Sequence, residues 1–228
     1  MFQIKNMTDS ENNTNTHPLE QMYEDNPYYK SKFENFLSAF FEIVIYIVSV
    51  LISVVIIRYF FIAPFSVEGS SMEPNLHDAE LIIINKIGYL EFLDFKVGEP
   101  ERGDIVVIIP PNDTSKFYVK RIIGLPNDTL DFTNGEIVVK NNEYPNGVRL
   151  DEKYLSEDNN YTSPPGSYRN KTVTLGDREY YTLGDNRNAS RDSRSFGPVN
   201  RANIIGKVWF VGFPLDKFRV VSHNEYLM

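Results

Sequence analysis

Ser71 and Lys120 are the two residues of this sequence whose types and placement best suit covalent chemistry. Ser71 lies in the polar run GSSMEP, and Lys120 lies in the apolar run YVKRIIG. A serine hydroxyl needs a base before it can attack a carbonyl carbon, and a lysine amine that has lost its hydration shell can act as that base. The pair therefore predicts nucleophilic acyl transfer. On strand periodicity alone, an exposed lysine on an edge strand is the favoured alternative for Lys120.

A second candidate site is the polar segment GDNRNASRDSR at residues 184–194, which directly follows the apolar run YYTL. Such a density of Asp, Asn, Ser and Arg is typical of a hydrogen-bonded loop that builds a site, and it is equally compatible with a polar turn or a metal loop. The segment lacks the spacing of an EF-hand, so calcium is not indicated. The three histidines lie far apart without metal-ligand spacing. We therefore expect no metal and no cofactor.

The composition limits the class of protein to which the chain can belong. Its 228 residues suffice for one substantial domain with appendages, and the absence of cysteine excludes both a disulfide framework and a thiolate metal site. The formal net charge of -8 argues against nucleic acid as a partner, because phosphate binding requires a basic surface.

One apolar segment is long enough to cross a membrane. Residues 1–34 are polar and rich in asparagine, which predicts a disordered cytoplasmic tail, and the apolar residues 35–63 predict a transmembrane helix that ends at Pro64. A cleaved signal peptide does not fit, because the run is too long and no Ala-x-Ala site follows it. Lys30 and Lys32 precede the span and no basic residue lies between Arg58 and Lys86, so we predict a single-pass protein with a cytoplasmic N-terminus and an extracytoplasmic C-terminal domain.

Short β-rich runs separated by Gly, Pro and Asn turn signals follow the span, and no long amphipathic helix is visible among them. This pattern predicts a mostly β, antiparallel domain over residues 64–228, with a surface insertion at 144–170. The predicted strands are Leu81–Ile84, Asp104–Ile109, Phe117–Ile123, Glu136–Lys140, Lys171–Leu175, Glu179–Leu183 and Ile204–Gly212.

In their order along the chain, these segments resemble the type I signal peptidases, which are membrane-bound serine proteases with a Ser/Lys dyad. The matching motifs are GSSMEP at 69–74, RGDIV at 102–106, YVKRIIGLP at 118–126, GDNR at 184–187 and SRDSR at 190–194, all beyond an apolar anchor. The resemblance implies a β-rich catalytic domain, shared with LexA-type self-cleaving repressors, beside one N-terminal transmembrane helix. It also implies serine endopeptidase activity.

The resemblance assigns the reacting groups. Ser71 is implied as the nucleophile, in preference to Ser70, and Lys120 as the general base, unprotonated at rest. The main-chain N–H of Ser71 should donate to the oxyanion. Some members add a hydroxyl from the position that Gly69 occupies here, and glycine cannot supply one. The predicted oxyanion hole therefore relies on main-chain groups and water.

Four further residues are implied in supporting roles. Ser190 matches the serine whose hydroxyl orients the lysine amine. Asp192 and Arg194 match an ion pair that supports the site without proton transfer, and Asp185 is expected to support the site as well.

The implied substrates are the signal peptides of secretory preproteins, cut after small residues at the -1 and -3 positions. The residues expected to line the shallow apolar pockets that such a preference requires are Val67, Gly69, Met72, Leu76, Tyr118 and Val119. Ordinary core positions are the alternative for these side chains. The lipid bilayer and the neighbourhood of the secretion translocase are the other implied partners.

Three alternatives to general signal-peptide processing are considered. A self-cleaving Ser/Lys regulator needs a cytoplasmic domain, and the membrane anchor and the absence of DNA-binding helices oppose it. A non-catalytic relative acting as a chaperone in surface-fibre assembly should have lost the serine or the lysine, and this chain retains both. A peptidase dedicated to one kind of substrate, such as a pilin, remains open.

Overall fold

The computed structural model describes residues 27–89, 91–92, 95–96, 98–166 and 171–223. Residues 1–26, which make up most of the predicted tail, lie outside this part of the chain. The chain divides into two compact units, one that ends at Val55 and one that begins at Ile56.

The first unit contains the helix α1, which spans Pro27–Ile56. Proline suits the first helical position, because its missing N–H would have no partner there, and neither proline nor glycine interrupts the rest of the helix. Within the 25-residue stretch Lys32–Ile56, an 18-residue window has a mean hydropathy of 2.7 and no buried residue. A helix of this length rises about 37 Å, which exceeds the hydrocarbon thickness of about 30 Å. The helix is therefore long and apolar enough to cross a bilayer.

The boundaries of α1 differ from the predicted span at 35–63. The helix begins inside the predicted tail, and after a π-helical turn at Ile57–Phe61 the chain enters strand β1, Ile62–Ser66. Ile62 and Ala63 pair with the following strand of the sheet. Hydropathy does not distinguish the end of an apolar helix from an apolar strand, so the sequence pattern extends the span too far.

The second unit is built mainly from short antiparallel strands. After β1 these are β2 (Leu81–Asn85), β3 (Glu91–Phe92), β4 (Phe95–Lys96), β5 (Ile105–Ile108), β6 (Tyr118–Gly124), β7 (Thr129–Thr133), β8 (Glu136–Lys140), β9 (Val148–Arg149), β10 (Lys171–Thr174), β11 (Glu179–Leu183), β12 (Val199–Asn200), β13 (Ile204–Phe213) and β14 (Arg219–Val220). A short helix α2 covers Ser193–Phe196.

The strands form a large curled sheet and a smaller one. The eight-stranded sheet has the order β1-β2-β13-β5-β6-β11-β12 with β14 beside β13, the four-stranded sheet has the order β10-β7-β8-β9, and β3 pairs with β4. This architecture confirms the predicted mostly β class.

Burial along the strands explains why the large sheet forms. The run IVVI of β5 is buried at all four positions, as expected for a strand with neighbours on both sides and both faces covered. In β2 the buried residues alternate, so Ile82 and Ile84 face the core. A second apolar cluster joins the two sheets, where the rings of Phe132 and Tyr181 lie 5.6 Å apart. Each fully buried side chain of this kind contributes about 1.5–3 kcal/mol.

Each of the seven predicted strands overlaps an observed strand, with ends that differ by at most one residue. The predicted Asn134-Gly135 turn is confirmed, with φ angles of 53° and 83° between β7 and β8, as a two-residue hairpin loop requires. The strand β7 is not among the predictions, because Asp131 interrupts the short run TLDFT, although Leu130 and Phe132 are buried.

The insertion predicted at 144–170 is not confined to the surface in its described part, which ends at residue 166. It carries β9, and Leu150, Asn159 and Thr162 are buried within it. Asn159 and Thr162 hydrogen-bond to the polar segment 184–194. The insertion therefore packs against the second candidate site.

Candidate active site

The loop between β1 and β2 carries Ser71. The N–H of Val67 donates to the carbonyl of Glu80 at 2.8 Å, which ties the two ends of the loop together. The N–H of Leu76 donates to the carbonyl of Met72 at 2.9 Å and closes one helical turn directly after Ser71. Met72 and Leu76 are buried in the hydrophobic core. Ser71 is therefore presented on a turn whose base is fixed by packing.

Gly69 shapes the approach to Ser71. Its φ angle is +79°, a region that favours glycine, and its N–H donates to Asp78 Oδ1 at 2.7 Å. A Cβ at this position would meet no atom within 4 Å. Backbone conformation rather than crowding therefore selects glycine here.

Lys120 lies on β6, between β5 and β11 in the large sheet, with Val106 as its partner on β5. Its side chain is only 3% exposed. The alternative of an exposed lysine on an edge strand is therefore wrong. Strand periodicity gives the face of a residue but does not tell which strands will flank it.

The amine of Lys120 lies 2.7 Å from the hydroxyl oxygen of Ser71, and it donates to the carbonyl of Val119 at 2.8 Å. Burial lowers the pKa of Lys120 from 10.5 to about 8. The carboxylates of Asp192 and Asp185 oppose this change, whereas the charge of Arg194 adds to it. At neutral to mildly alkaline pH a useful fraction of the amine is thus unprotonated and can accept a proton from Ser71.

Ser190 does not hydrogen-bond to Lys120 in this structure. Its hydroxyl oxygen is buried and has no hydrogen-bond partner among the described residues. It lies against Gly184, where a side chain would collide both with the Ser190 hydroxyl and with the carbonyl oxygen of Ser71, the latter at 2.5 Å. The structure thus brings Ser190 to the main chain of the candidate nucleophile. Its predicted role in orienting the lysine remains a prediction.

Asp192 and Arg194 form the predicted ion pair. Arg194 donates from Nε to Oδ1 and from Nη2 to Oδ2 of Asp192, each at 2.8 Å. Asp192 also caps α2 and accepts the N–H of Gly184 at 3.1 Å. Burial alone would raise the pKa of Asp192, but the hydrogen bonds and charge of Arg194 outweigh it and lower that pKa. The carboxylate therefore stays ionised and fixes the loop.

A second ion pair, which the sequence analysis does not assign, joins β6 to the same loop. Arg121 donates to both oxygens of Asp185 at 2.8 and 2.7 Å, and each side chain is 1% exposed. Asn75 donates to Asp185 at 2.9 Å from the loop that carries Ser71. Arg121 follows Lys120 directly and points to the opposite face of an apolar strand, where a buried charge requires a partner. This requirement is the sequence signal that could have identified the pair.

An open cavity of about 470 Å³ lies beside Ser71. Its lining consists of Phe65, Ser66, Val67, Glu68, Ser71, Met72 and residues 115–120. β1 is an edge strand, and β11 pairs only with residues 121–124 of β6, so the described strands leave 118–120 unpaired on that side. The cavity therefore runs between two strand edges that could each accept an extended peptide.

Comparison with known families identifies the chain. A family model described as signal peptidase, peptidase S26, matches residues 40–213, a range that includes both candidate sites. The chain belongs to the signal peptidase family.

Two individual relatives of this family member agree with the assignment. Signal peptidase IB of Staphylococcus aureus (strain COL) is 33% identical over 199 residues, which cover 80% of this chain and 94% of the relative. Signal peptidase I of Bacillus licheniformis is 35% identical over 195 residues, which cover 83% and 97%. A crystal structure of a signal peptidase I from Enterococcus faecalis V583 matches at 31% identity with a TM-score of 0.38, covering 48% of this chain and 96% of that one.

Family membership confirms the predicted serine endopeptidase class for this signal peptidase. Among the residues predicted to line a pocket, Val67, Met72, Tyr118 and Val119 border the cavity. Gly69 and Leu76 are not part of its lining. Leu76 is fully buried in the core, as the alternative interpretation expects.

Sequence reasoning missed other lining residues of the same cavity. Phe65 and Phe117 flank it, and their rings lie 5.3 Å apart. Their contact joins the edge strand β1 to the segment before β6, far apart in sequence. A contact of this kind depends on the curl of the sheet, which no local pattern reveals.

Proposed function

We propose that this chain is a membrane-anchored type I signal peptidase that removes signal peptides from secreted preproteins, with Ser71 as nucleophile and Lys120 as general base. The observation that carries the proposal is the 2.7 Å contact between the Ser71 hydroxyl and a buried amine whose pKa is lowered to about 8. A protonated lysine could not take the serine proton, so the lowered pKa is a chemical requirement of this dyad.

The proposed reaction has two stages. The neutral amine of Lys120 accepts the hydroxyl proton while Ser71 Oγ attacks the scissile carbonyl carbon, and the Ser71 N–H donates to the developing oxyanion. The ammonium then gives its proton to the departing amine, and the signal peptide remains as an ester on Ser71. Lys120 next deprotonates a water that attacks this ester. The signal peptide leaves with a free carboxyl group, and Ser71 regains its proton.

The cavity beside Ser71 supports binding of the substrate as an extended strand. The free edges of β1 and β6 offer main-chain hydrogen bonds on both sides of such a peptide. Val67, Met72, Tyr118 and Val119 provide apolar walls. Because Phe65 and Phe117 also narrow the cavity, we infer a preference for small side chains at the -1 and -3 positions.

Two apolar features support work at the bilayer surface. The first is α1, which is long enough to anchor the chain in a single pass. The second is a group of side chains on β13, β14 and their connection that are each more than half exposed: Trp209, Phe213, Leu215, Phe218 and Val220. Exposed aromatic and aliphatic side chains of this kind suit the interfacial layer of a membrane. We place the catalytic domain outside the cytoplasm, near the translocase that delivers preproteins.

The retained dyad argues against a non-catalytic relative. A surface-fibre chaperone does not need a lysine amine whose pKa is lowered and which lies 2.7 Å from a serine hydroxyl. We therefore propose processing of secretory preproteins rather than a chaperone role.

The direct test uses the full-length protein in lipid vesicles and a preprotein with an Ala-x-Ala site. The wild type should release the mature protein, while Ser71→Ala and Lys120→Met should release none although near-UV circular dichroism shows both to be folded. Ser195→Ala is a matched control, because it removes a hydroxyl that donates to the carbonyl of Asp192 at 3.0 Å and that belongs neither to the dyad nor to the cavity lining. Cleavage by Ser71→Ala at the wild-type rate would refute the nucleophile assignment.

A further inference from the structure

Arg187 connects the insertion to the candidate catalytic centre. It is fully buried and donates from Nη1 and Nη2 to the two carboxylate oxygens of Glu152, at 3.0 and 2.5 Å. It also donates to the hydroxyl of Tyr154 at 2.9 Å and to Thr162 Oγ1. We call the segment 150–162, which provides all these acceptors, the latch.

The same arginine also contacts the loop beside Ser71. Its Nε donates to the carbonyl oxygen of Gly184 at 3.1 Å. Gly184 has no room for a side chain, because the Ser190 hydroxyl and the Ser71 carbonyl oxygen occupy the space next to its Cα. A movement of Arg187 therefore displaces a backbone that already touches both serines.

A second residue of the latch, Asn159, holds the next part of this loop. Its Nδ2 donates to the carbonyl of Asp185 at 2.9 Å, and its Oδ1 accepts the N–H of Asn188 at 3.0 Å. Between these two points, the N–H of Asn186 donates to the carbonyl of Ser71 at 3.0 Å. The loop at residues 184–188 is thus hydrogen-bonded to the latch on one side and to Ser71 on the other.

We propose that the latch is a positioning element of the peptidase, and that Glu152, Tyr154 and Asn159 hold the main chain of Ser71 through residues 184–188. The proposal rests on the proposed function, in which the Ser71 N–H donates to the oxyanion. The carbonyl and the N–H of Ser71 belong to one residue, so fixing the carbonyl restricts the direction in which the N–H points. Oxyanion stabilisation depends on that direction, because it requires a donor already aimed at the developing charge.

The nature of the Glu152–Arg187 pair favours positioning over stabilisation. Its side chains are 10% and 0% exposed. Buried ion pairs of this kind contribute little net stability, since the loss of hydration offsets the attraction between the charges. Their directional hydrogen bonds fix one geometry, which is what a loop beside a nucleophile requires.

The test compares single-turnover cleavage by full-length variants in lipid vesicles, with enzyme in excess over an Ala-x-Ala preprotein. Tyr154→Phe removes one acceptor from the charged Arg187 and one donor to Glu152, and it should lower the rate constant about 3–10-fold. Glu152→Gln removes the ion pair and should lower the rate constant about 10–100-fold, because a displacement of about 1 Å of a reacting group can cost about 100-fold in rate. The substrate concentration that gives half the maximal rate in steady state should change less than about 2-fold in both.

Two matched controls leave the latch contacts intact. Tyr144→Phe makes the same chemical change in the insertion, at a position outside the latch. Arg149→Gln breaks an exposed ion pair with Glu136 on the neighbouring strands. Both should cleave at the wild-type rate.

The pH profile separates positioning from a merely structural role. The charged groups that shift the pKa of Lys120 are Asp192, Asp185 and Arg194, which lie outside the latch, so the midpoint of the rise in activity should stay at its wild-type pH in Tyr154→Phe and Glu152→Gln. A variant that is partly unfolded should instead keep the wild-type rate constant in its folded fraction and lose circular dichroism. If Glu152→Gln does not fold, the rate constant and pH profile of Tyr154→Phe alone test the positioning role of the latch.

The outcomes also separate this proposal from the proposed function. An inactive wild type would contradict the proposed function itself. An active wild type together with folded Tyr154→Phe and Glu152→Gln that cleave at the same rate constant would refute the latch and leave the dyad intact. An unchanged rate constant with reduced folded protein would likewise refute positioning.

Discussion

We predict that burial of the Lys120 amine favours activity but lowers the stability of the fold. Lowering its pKa from 10.5 to about 8 corresponds to a cost of about 3 kcal/mol for folding with this residue, since one pH unit is worth about 1.4 kcal/mol. The folded pKa is the lower one, so the unfolded chain binds the proton more tightly. The cost is therefore full below about pH 8 and disappears as the pH rises through 10.5.

Lys120→Met removes the charge and keeps a side chain of similar length. It also removes the hydrogen bonds to Ser71 and to the Val119 carbonyl, which together cost about 1–2 kcal/mol. At pH 7 the relief of about 3 kcal/mol outweighs this loss, so the inactive variant should be more stable than the wild type by about 1–2 kcal/mol. Near pH 10.5 only the loss remains, and the order of stability should reverse.

Urea unfolding of the full-length proteins in detergent micelles at several pH values between 7 and 10.5, followed by near-UV circular dichroism, measures the difference. Lys116→Met is the matched control, because the Lys116 amine is exposed and pairs with Asp113 at the surface. The difference in free energy of unfolding between Lys116→Met and the wild type should hardly depend on pH. A stability difference for Lys120→Met that stays constant within about 0.5 kcal/mol over this range would refute the assignment of the lowered pKa to burial.

Five further outcomes follow from the site. Cleavage by the wild type should rise with pH through about 8, because only the neutral Lys120 amine accepts a proton, and a pH–rate profile of initial rates checks this. Asp192→Asn should move that rise to lower pH, because the Asp192 charge raises the pKa of Lys120; a rise that moves upward contradicts it. Asp185→Asn should destabilise the protein to urea by about 3–5 kcal/mol, because it strands the buried Arg121 charge. Gly69→Ala should cost about 1 kcal/mol through its positive φ, and Gly69→Ser should cleave faster than Gly69→Ala if the oxyanion hole lacks a donor; equal rates would show that it does not.

The sequence predicts the strands of the domain well because most of them carry a strong local signal. β8 and β11 match their predicted limits, and their β-branched and aromatic content explains why. The end of α1 is predicted less well. The apolar residues Ile62 and Ala63 suit an apolar helix as well as a buried strand, and only their pairing with β2 shows that they belong to a strand. Local composition does not reveal that Ile62 and Ala63 pair with β2, whose residues lie about twenty positions further along the chain.

The candidate site shows the same division between local and distant information. Ser71 and Lys120 can be named from their motifs, and the structure brings them into contact. The burial of Lys120 could not be read from its own strand, since it depends on the neighbours of β6 in the sheet. Arg187 and its acceptors in the insertion were equally hidden, because polar residues in a segment rich in Pro and Gly look like a solvated loop.

The position of Lys120 in the middle of a sheet also determines when this protein can become reactive. In an unfolded chain an amine with the ordinary pKa of 10.5 is neutral in only about 0.03% of molecules at pH 7, whereas a pKa of about 8 leaves about a tenth of them neutral. The roughly 300-fold difference arises only once the fold has buried the Lys120 side chain, with β5 paired to β6 at Lys120 and β11 paired to β6 beyond it at residues 121–124. In the proposed mechanism, an unfolded chain therefore has the nucleophile but almost no unprotonated base. Folding itself then activates the dyad.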